Sequence, residues 1–119
     1  MGRDRIFRDY LTPEIQESAK GFLLTVNAFL EALKISHVTV TSGWRPPPVN
    51  DRAGGAPRSY HLFGRAVDLW DPDGKLDHLI ETRSDLLRRF GLWLEDPKRT
   101  PRWVHLDNGT RPERASRIF

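Results

Sequence analysis

Two periods alternate along this chain, one helical and one strand-like, and they divide it into elements. From Pro13 to Lys34 apolar residues recur at steps of three and four: Ile15, Ala19, Phe22, Leu23, Val26, Phe29, Leu30 and Leu33. That spacing predicts one amphipathic helix with its stripe against a core. Thr12 can cap it, Pro13 suits its first turn, and Glu14 and Glu17 favour the positive end of its dipole. "HVTVTSGW" then switches to a period of two, Val38 and Val40 alternating with Thr39 and Thr41, which predicts a strand. The following "RPPPVNDRAGGAPRS" can hold neither helix nor sheet ladder. A loop this long in so short a chain points to a functional segment.

"RAVDLW" predicts a second strand and "DPDG" a turn. "KLDHLIETRSDLLRRFG" carries Leu76, Leu79, Ile80, Leu86, Leu87 and Phe90 on a mostly helical spacing, with Gly91 as its cap. "EDPKRTP" reads as a loop, "RWVHLD" as a third strand, and "NGTRPERASRIF" as an irregular tail that packs by Ile118 and Phe119. The sum is an α+β fold: one small domain over 1–119, with a short, mostly antiparallel sheet and helices packed on one side.

Composition narrows the function classes. The chain has 119 residues, 38% hydrophobic and 29% charged, which suits a soluble monomeric domain. No apolar run approaches the ~20 residues of a membrane helix, so no membrane insertion is expected. The start, "MGRDRIFRDYLTPE", lacks the apolar segment and small-residue cleavage site of a secretory signal. With no cysteine, disulfides, thiolate zinc sites and cysteine nucleophiles are excluded, and any metal must be held by His and carboxylates. The net charge of +3 would suit an anionic partner, either nucleic acid or a cell-wall polymer. The basic residues are dispersed, however, so no nucleic-acid partner is expected.

Strand alternation makes a geometric prediction about chemistry. In "RAVDLW", Ala66 and Asp68 share one face while Val67 and Leu69 share the other. In "RWVHLD", Trp103, His105 and Asp107 oppose Val104 and Leu106. If the two strands are neighbours, Asp68, His105 and Asp107 converge on one side, and His61 sits on the loop just before. Gly64 supplies a tight bend there, and small Ala66 leaves room for an ion. Two imidazoles, one carboxylate and an open position make a catalytic zinc arrangement, in which the metal lowers the pKa of a water to about 7. By spacing alone the competing reading stays open: a loop histidine and a turn aspartate. His37 and His78 have no such companions and read as surface residues.

"SGWRPPPVN", "GGAPRSYHLFGRAVDLW" and "WVHLD" together resemble the zinc D-alanyl-D-alanine carboxypeptidases and related peptidoglycan endopeptidases. That superfamily also holds the lysostaphin-type peptidases and the hedgehog signalling domain. The family pattern is matched in order by Ser42, Gly43, Arg45, Asn50, Gly54, Gly55, Ser59, His61, Gly64, Ala66, Asp68 and His105, over roughly residues 38–107. The resemblance implies that His61, Asp68 and His105 hold one Zn2+ per chain. It implies that Arg45 faces the substrate carboxylate or the developing oxyanion, a task suited to a planar, permanently charged guanidinium. Ser59 would bind substrate or steady the ligand loop, while Asn50 and the two glycines read as architectural.

Many relatives carry a carboxylate three residues before the last His, and here that position is Arg102. Asp107 stands first as replacement base, because it shares the face of His105, although it could instead orient an imidazole. Glu95 is the second candidate, if its loop folds back. The resemblance thus implies zinc-dependent hydrolysis of a peptide bond in peptidoglycan, by a carboxypeptidase or endopeptidase. A phage-type lysin acting at the cell wall or periplasm fits the same description. The missing carboxylate motivates an alternative: a catalytically idle relative that keeps the metal and binds cell-wall peptides.

Overall fold

The computed structural model describes residues 11–44 and 59–119. The proline-rich loop, with Arg45, Asn50, Gly54 and Gly55, lies outside the described residues. Helix α1 spans Pro13–Ala32, and the Thr12 hydroxyl accepts from the Ile15 N–H at 3.2 Å as its N-cap. It ends two residues before the predicted Lys34. Lys34 takes φ +61°, its N–H bonds Glu31 O, and the Ile35 N–H bonds Leu30 O. These two bonds satisfy carbonyls that the last turn would otherwise orphan, and Ile35 then packs on the core.

Four strands follow: β1 (Val40–Ser42), β2 (Ala66–Trp70), β3 (Trp93–Leu94) and β4 (Trp103–Asp107), in the order β1-β2-β4-β3 with every pair antiparallel. One sheet face carries Val67, Leu69, Leu94, Val104 and Leu106, all buried against Phe22, Val26, Phe29, Leu30 and Leu33 of α1 and the two shorter helices. Burying each such side chain contributes about 1.5–3 kcal/mol. The buried stripe of α1 is narrower than its sequence suggests, since Leu23 is 48% exposed.

The segment predicted as one helix is two, α2 (Lys75–Thr82) and α3 (Ser84–Phe90), broken at Arg83. Ile80 and Leu86 are both buried but six residues apart, about 120° out of phase on a straight helix. Breaking the helix at Arg83 lets both reach the core. Phe90 of α3 then meets Phe29 edge-on, ring centroids 5.9 Å apart. Gly91 ends α3 with φ +68°, as its sequence position suggests.

At the start of α2, Asp71 caps the helix, its carboxylate accepting from the N–H groups of Leu76 and Asp77. Asp77 is itself buried, and its Oδ1 has no hydrogen-bond partner. Burial first, then the charges of Asp71 and Glu81, push its pKa up to about 7. His78 and Arg102 line the same cavity, with Asp73 and Thr100. The folded state therefore holds a proton that the unfolded chain releases near pH 4, so stability falls as pH rises from about 4 to about 7. Asp77→Asn should remove that slope: a parent-like melting temperature at pH 4, and a higher one at pH 8. Thermal melts across this pH range check it, with about 4–8 °C expected per kcal/mol recovered.

Candidate metal centre

The site lies on the sheet face opposite the core. The five-residue pairing of β2 with β4 sets Asp68 directly opposite His105 and Ala66 opposite Asp107. His61 arrives from a 3-10 turn, Tyr60–Phe63, where the sequence suggests only a loop. The Ser59 hydroxyl caps this turn by accepting from the His61 N–H at 3.2 Å, so Ser59 steadies the ligand loop. Gly64 closes the turn with φ +67°, where a Cβ would lie 2.8 Å from that of Ala19. A side chain there would push the turn off α1, and His61 with it.

One ligand atom each from His61, Asp68 and His105 lies within 4.8 Å of the others. His61 is 1% exposed, and its Nδ1 donates to the Gly43 carbonyl at 2.7 Å. That bond fixes the tautomer and leaves Nε2 as a bare lone pair 3.3 Å from Asp68 Oδ1. Although close, this contact is acceptor against acceptor, and Nε2 has no hydrogen-bond partner. A buried lone pair facing a carboxylate calls for a cation between them. His105 Nδ1 lies 2.9 Å from the same oxygen, so the three donors fit a zinc ion with an open fourth side.

Asp107 is turned to a different task. Its Oδ2 is 2.9 Å from His105 Nε2, its Oδ1 accepts from the Gly109 N–H at 3.0 Å, and Arg111 bonds both oxygens at 2.5 and 3.0 Å. Burial raises its pKa, but the hydrogen bonds from His105, Arg111 and Gly109 outweigh this and hold it below the usual carboxylate range. Asp68 is likewise raised by burial and more strongly lowered by its hydrogen bond with His105. His105, lowered by burial but placed between Asp107 and Asp68, is pushed up to about 9.

Glu95 is positioned by strand pairing. Trp93 and Leu94 of β3 pair with Asp107 and Leu106, and the Glu95 N–H then donates to the His105 carbonyl at 3.1 Å. Glu95 therefore continues the ladder opposite His105, and alternation puts it on the same face. Asp68 of β2 and His105 of β4 thus form one cross-strand row, extended by Glu95 just past the end of β3.

The tail completes this face. Ile118 bridges Leu94 in parallel, and the Phe119 ring stands edge-on to His105 at 6.1 Å. Gly43 belongs to the matched family pattern, but Arg111 and Phe119 carry no signal in the sequence that ties them to the site. His37 and His78 are exposed, as expected.

The profile of the peptidase M15 family matches residues 10–107, which include every residue of this row and His61. The chain belongs to the peptidase M15 family. Peptidases of this family are zinc-dependent, in keeping with the donor set of His61, Asp68 and His105. A search of curated proteins found no match. Among the described residues no helix is long and apolar enough to cross a membrane.

Proposed function

We propose that this M15 peptidase hydrolyses a peptide bond in peptidoglycan stem peptides or cross-links, as a carboxypeptidase or endopeptidase, with one zinc per chain. The observation that carries the reading is the orphaned Nε2 of His61 meeting Asp68 Oδ1 and His105 Nδ1 at one point. A zinc ion held by these atoms would polarise the scissile carbonyl and acidify the attacking water.

The chain's own residues divide the remaining work. Glu95, half-buried beside His105, is the general base: it takes the proton of the attacking water and returns it to the leaving amine. Asp107 suits that role less, because its two oxygens are already engaged by Arg111, Gly109 and His105. It holds the His105 ring so that Nδ1 stays toward Asp68. Arg45 supplies the cation for the substrate carboxylate or oxyanion, an assignment that rests on its place in "SGWR". A carboxylate on the row of His105 weighs against an idle relative, since Glu95 would stand in for the carboxylate that Arg102 replaces.

The test is a digest. Zinc-loaded protein incubated with purified peptidoglycan should release fragments that the His61→Ala variant does not. Mass spectrometry of those fragments identifies the bond, and a C-terminal residue set free separates carboxypeptidase from endopeptidase action. No new fragments at any zinc loading would overturn the reading.

A further inference from the structure

Arg111 lies four residues beyond the stretch that matches the M15 family, in a tail with no regular secondary structure. Its guanidinium nevertheless sits at the centre of the site's support. It grips both oxygens of Asp107, a side chain with no exposed surface. Three aromatic rings surround it, with centroids at 3.8 Å for Phe119 and 5.4 Å for both Tyr60 and Trp93. Tyr60 directly precedes His61 in the 3-10 turn, and its hydroxyl donates to the Thr110 carbonyl at 3.4 Å. A Cβ on Gly109 would overlap the Tyr60 ring at 2.3 Å, so the tail and this turn are packed in direct contact.

We propose that Arg111 is a positioning residue for the metal centre, fixing Asp107 against His105 and Tyr60 beside His61, and so setting how tightly the ligands hold zinc. The inference rests on the zinc reading given above and deepens it. The fork geometry is what matters. With one nitrogen on each oxygen, the Asp107 carboxylate cannot turn about its own axis, and Oδ2 stays on His105 Nε2. Pinning Nε2 aims Nδ1 at Asp68. A lysine would keep the charge but not the two-point hold. On the other side the same guanidinium packs on Tyr60, so both histidine-bearing elements lean on one cation.

Arg117 is the control for a merely structural role in the tail. It stacks over Trp93 at 4.3 Å and pairs with Glu113 at 2.9 Å, with no bond to Asp107 or to a ligand. Zinc affinity is therefore measured by competition with a chelating dye on the full chain and on Arg111→Gln, Arg111→Lys and Arg117→Gln. Cobalt(II) in place of zinc reports ligand orientation through its visible bands. Arg111→Gln should weaken zinc about tenfold, the low end for a partner behind a ligating histidine, and shift the cobalt spectrum. Arg111→Lys should weaken it less, and it carries the comparison if the Gln variant does not fold. Arg117→Gln should lower the melting temperature yet keep the parent affinity and spectrum. Parent-like affinity in the Arg111 variants, or equal weakening by Arg117→Gln, would overturn the inference while leaving the zinc site standing. A parent chain that takes up no zinc would remove both.

Discussion

Replacing Glu95 by Gln is expected to lower turnover of a peptidoglycan peptide about a hundredfold to ten-thousandfold, the usual contribution of a positioned general base. Zinc affinity should stay at the parent value, because Glu95 touches none of the three ligand side chains among the contacts described. Asp107→Asn should behave differently. An amide there disturbs the bonds to Arg111 and His105, so zinc affinity should fall about tenfold to a hundredfold, and turnover with it. Turnover under saturating zinc separates the two effects: saturation should largely rescue Asp107→Asn and leave Glu95→Gln impaired. The reverse pattern would return the base to Asp107. The prediction depends on the register of β3 against β4, carried one residue further by the bond from the Glu95 N–H to His105 O.

That register is also where the sequence was least legible. Asp68 and His105 could be paired in advance, because five-residue strands with period two declare their faces, and β2 and β4 pair over five positions. The strand that carries Glu95 onto the same row has two residues, Trp93 and Leu94, both buried, and two buried positions show no alternation. The sequence therefore assigns no element to residues 92–94, between the Gly91 cap and the loop "EDPKRTP". The start of α1 was readable from Thr12 and Pro13, whose chemistry is local. Its end was not, since Lys34 adopts φ +61° where a glycine would have announced the stop. The break at Arg83 shows only as a six-residue gap between Ile80 and Leu86. The support from Arg111 had no sequence signal at all, because an arginine in an irregular tail can reach anything.

Asp68→Asn is expected to have the largest effect on the metal. Asp68 Oδ1 is the atom both histidines face, at 3.3 Å from His61 Nε2 and 2.9 Å from His105 Nδ1. It supplies the only negative charge among the three donors, and its depressed pKa keeps that charge at all ordinary pH. An amide keeps the shape and offers a neutral oxygen, so the loss isolates the charge. Zinc at a hundred times its dissociation constant stabilises a folded chain by about 2.7 kcal/mol. At about 4–8 °C per kcal/mol, the parent melting temperature should rise by roughly 10–20 °C on adding zinc. Asp68→Asn should show almost none of that rise, less than one zinc per chain, and no peptide cleavage. The metal-free variant should also melt below the metal-free parent at neutral pH. The lowered pKa of Asp68 marks stability that is present above pH 4 and lost as pH falls through the folded value, and the amide forgoes it. A variant that bound one zinc as tightly as the parent, with the same thermal shift, would mean that the metal sits elsewhere and that Asp68 serves only to pair the two histidines.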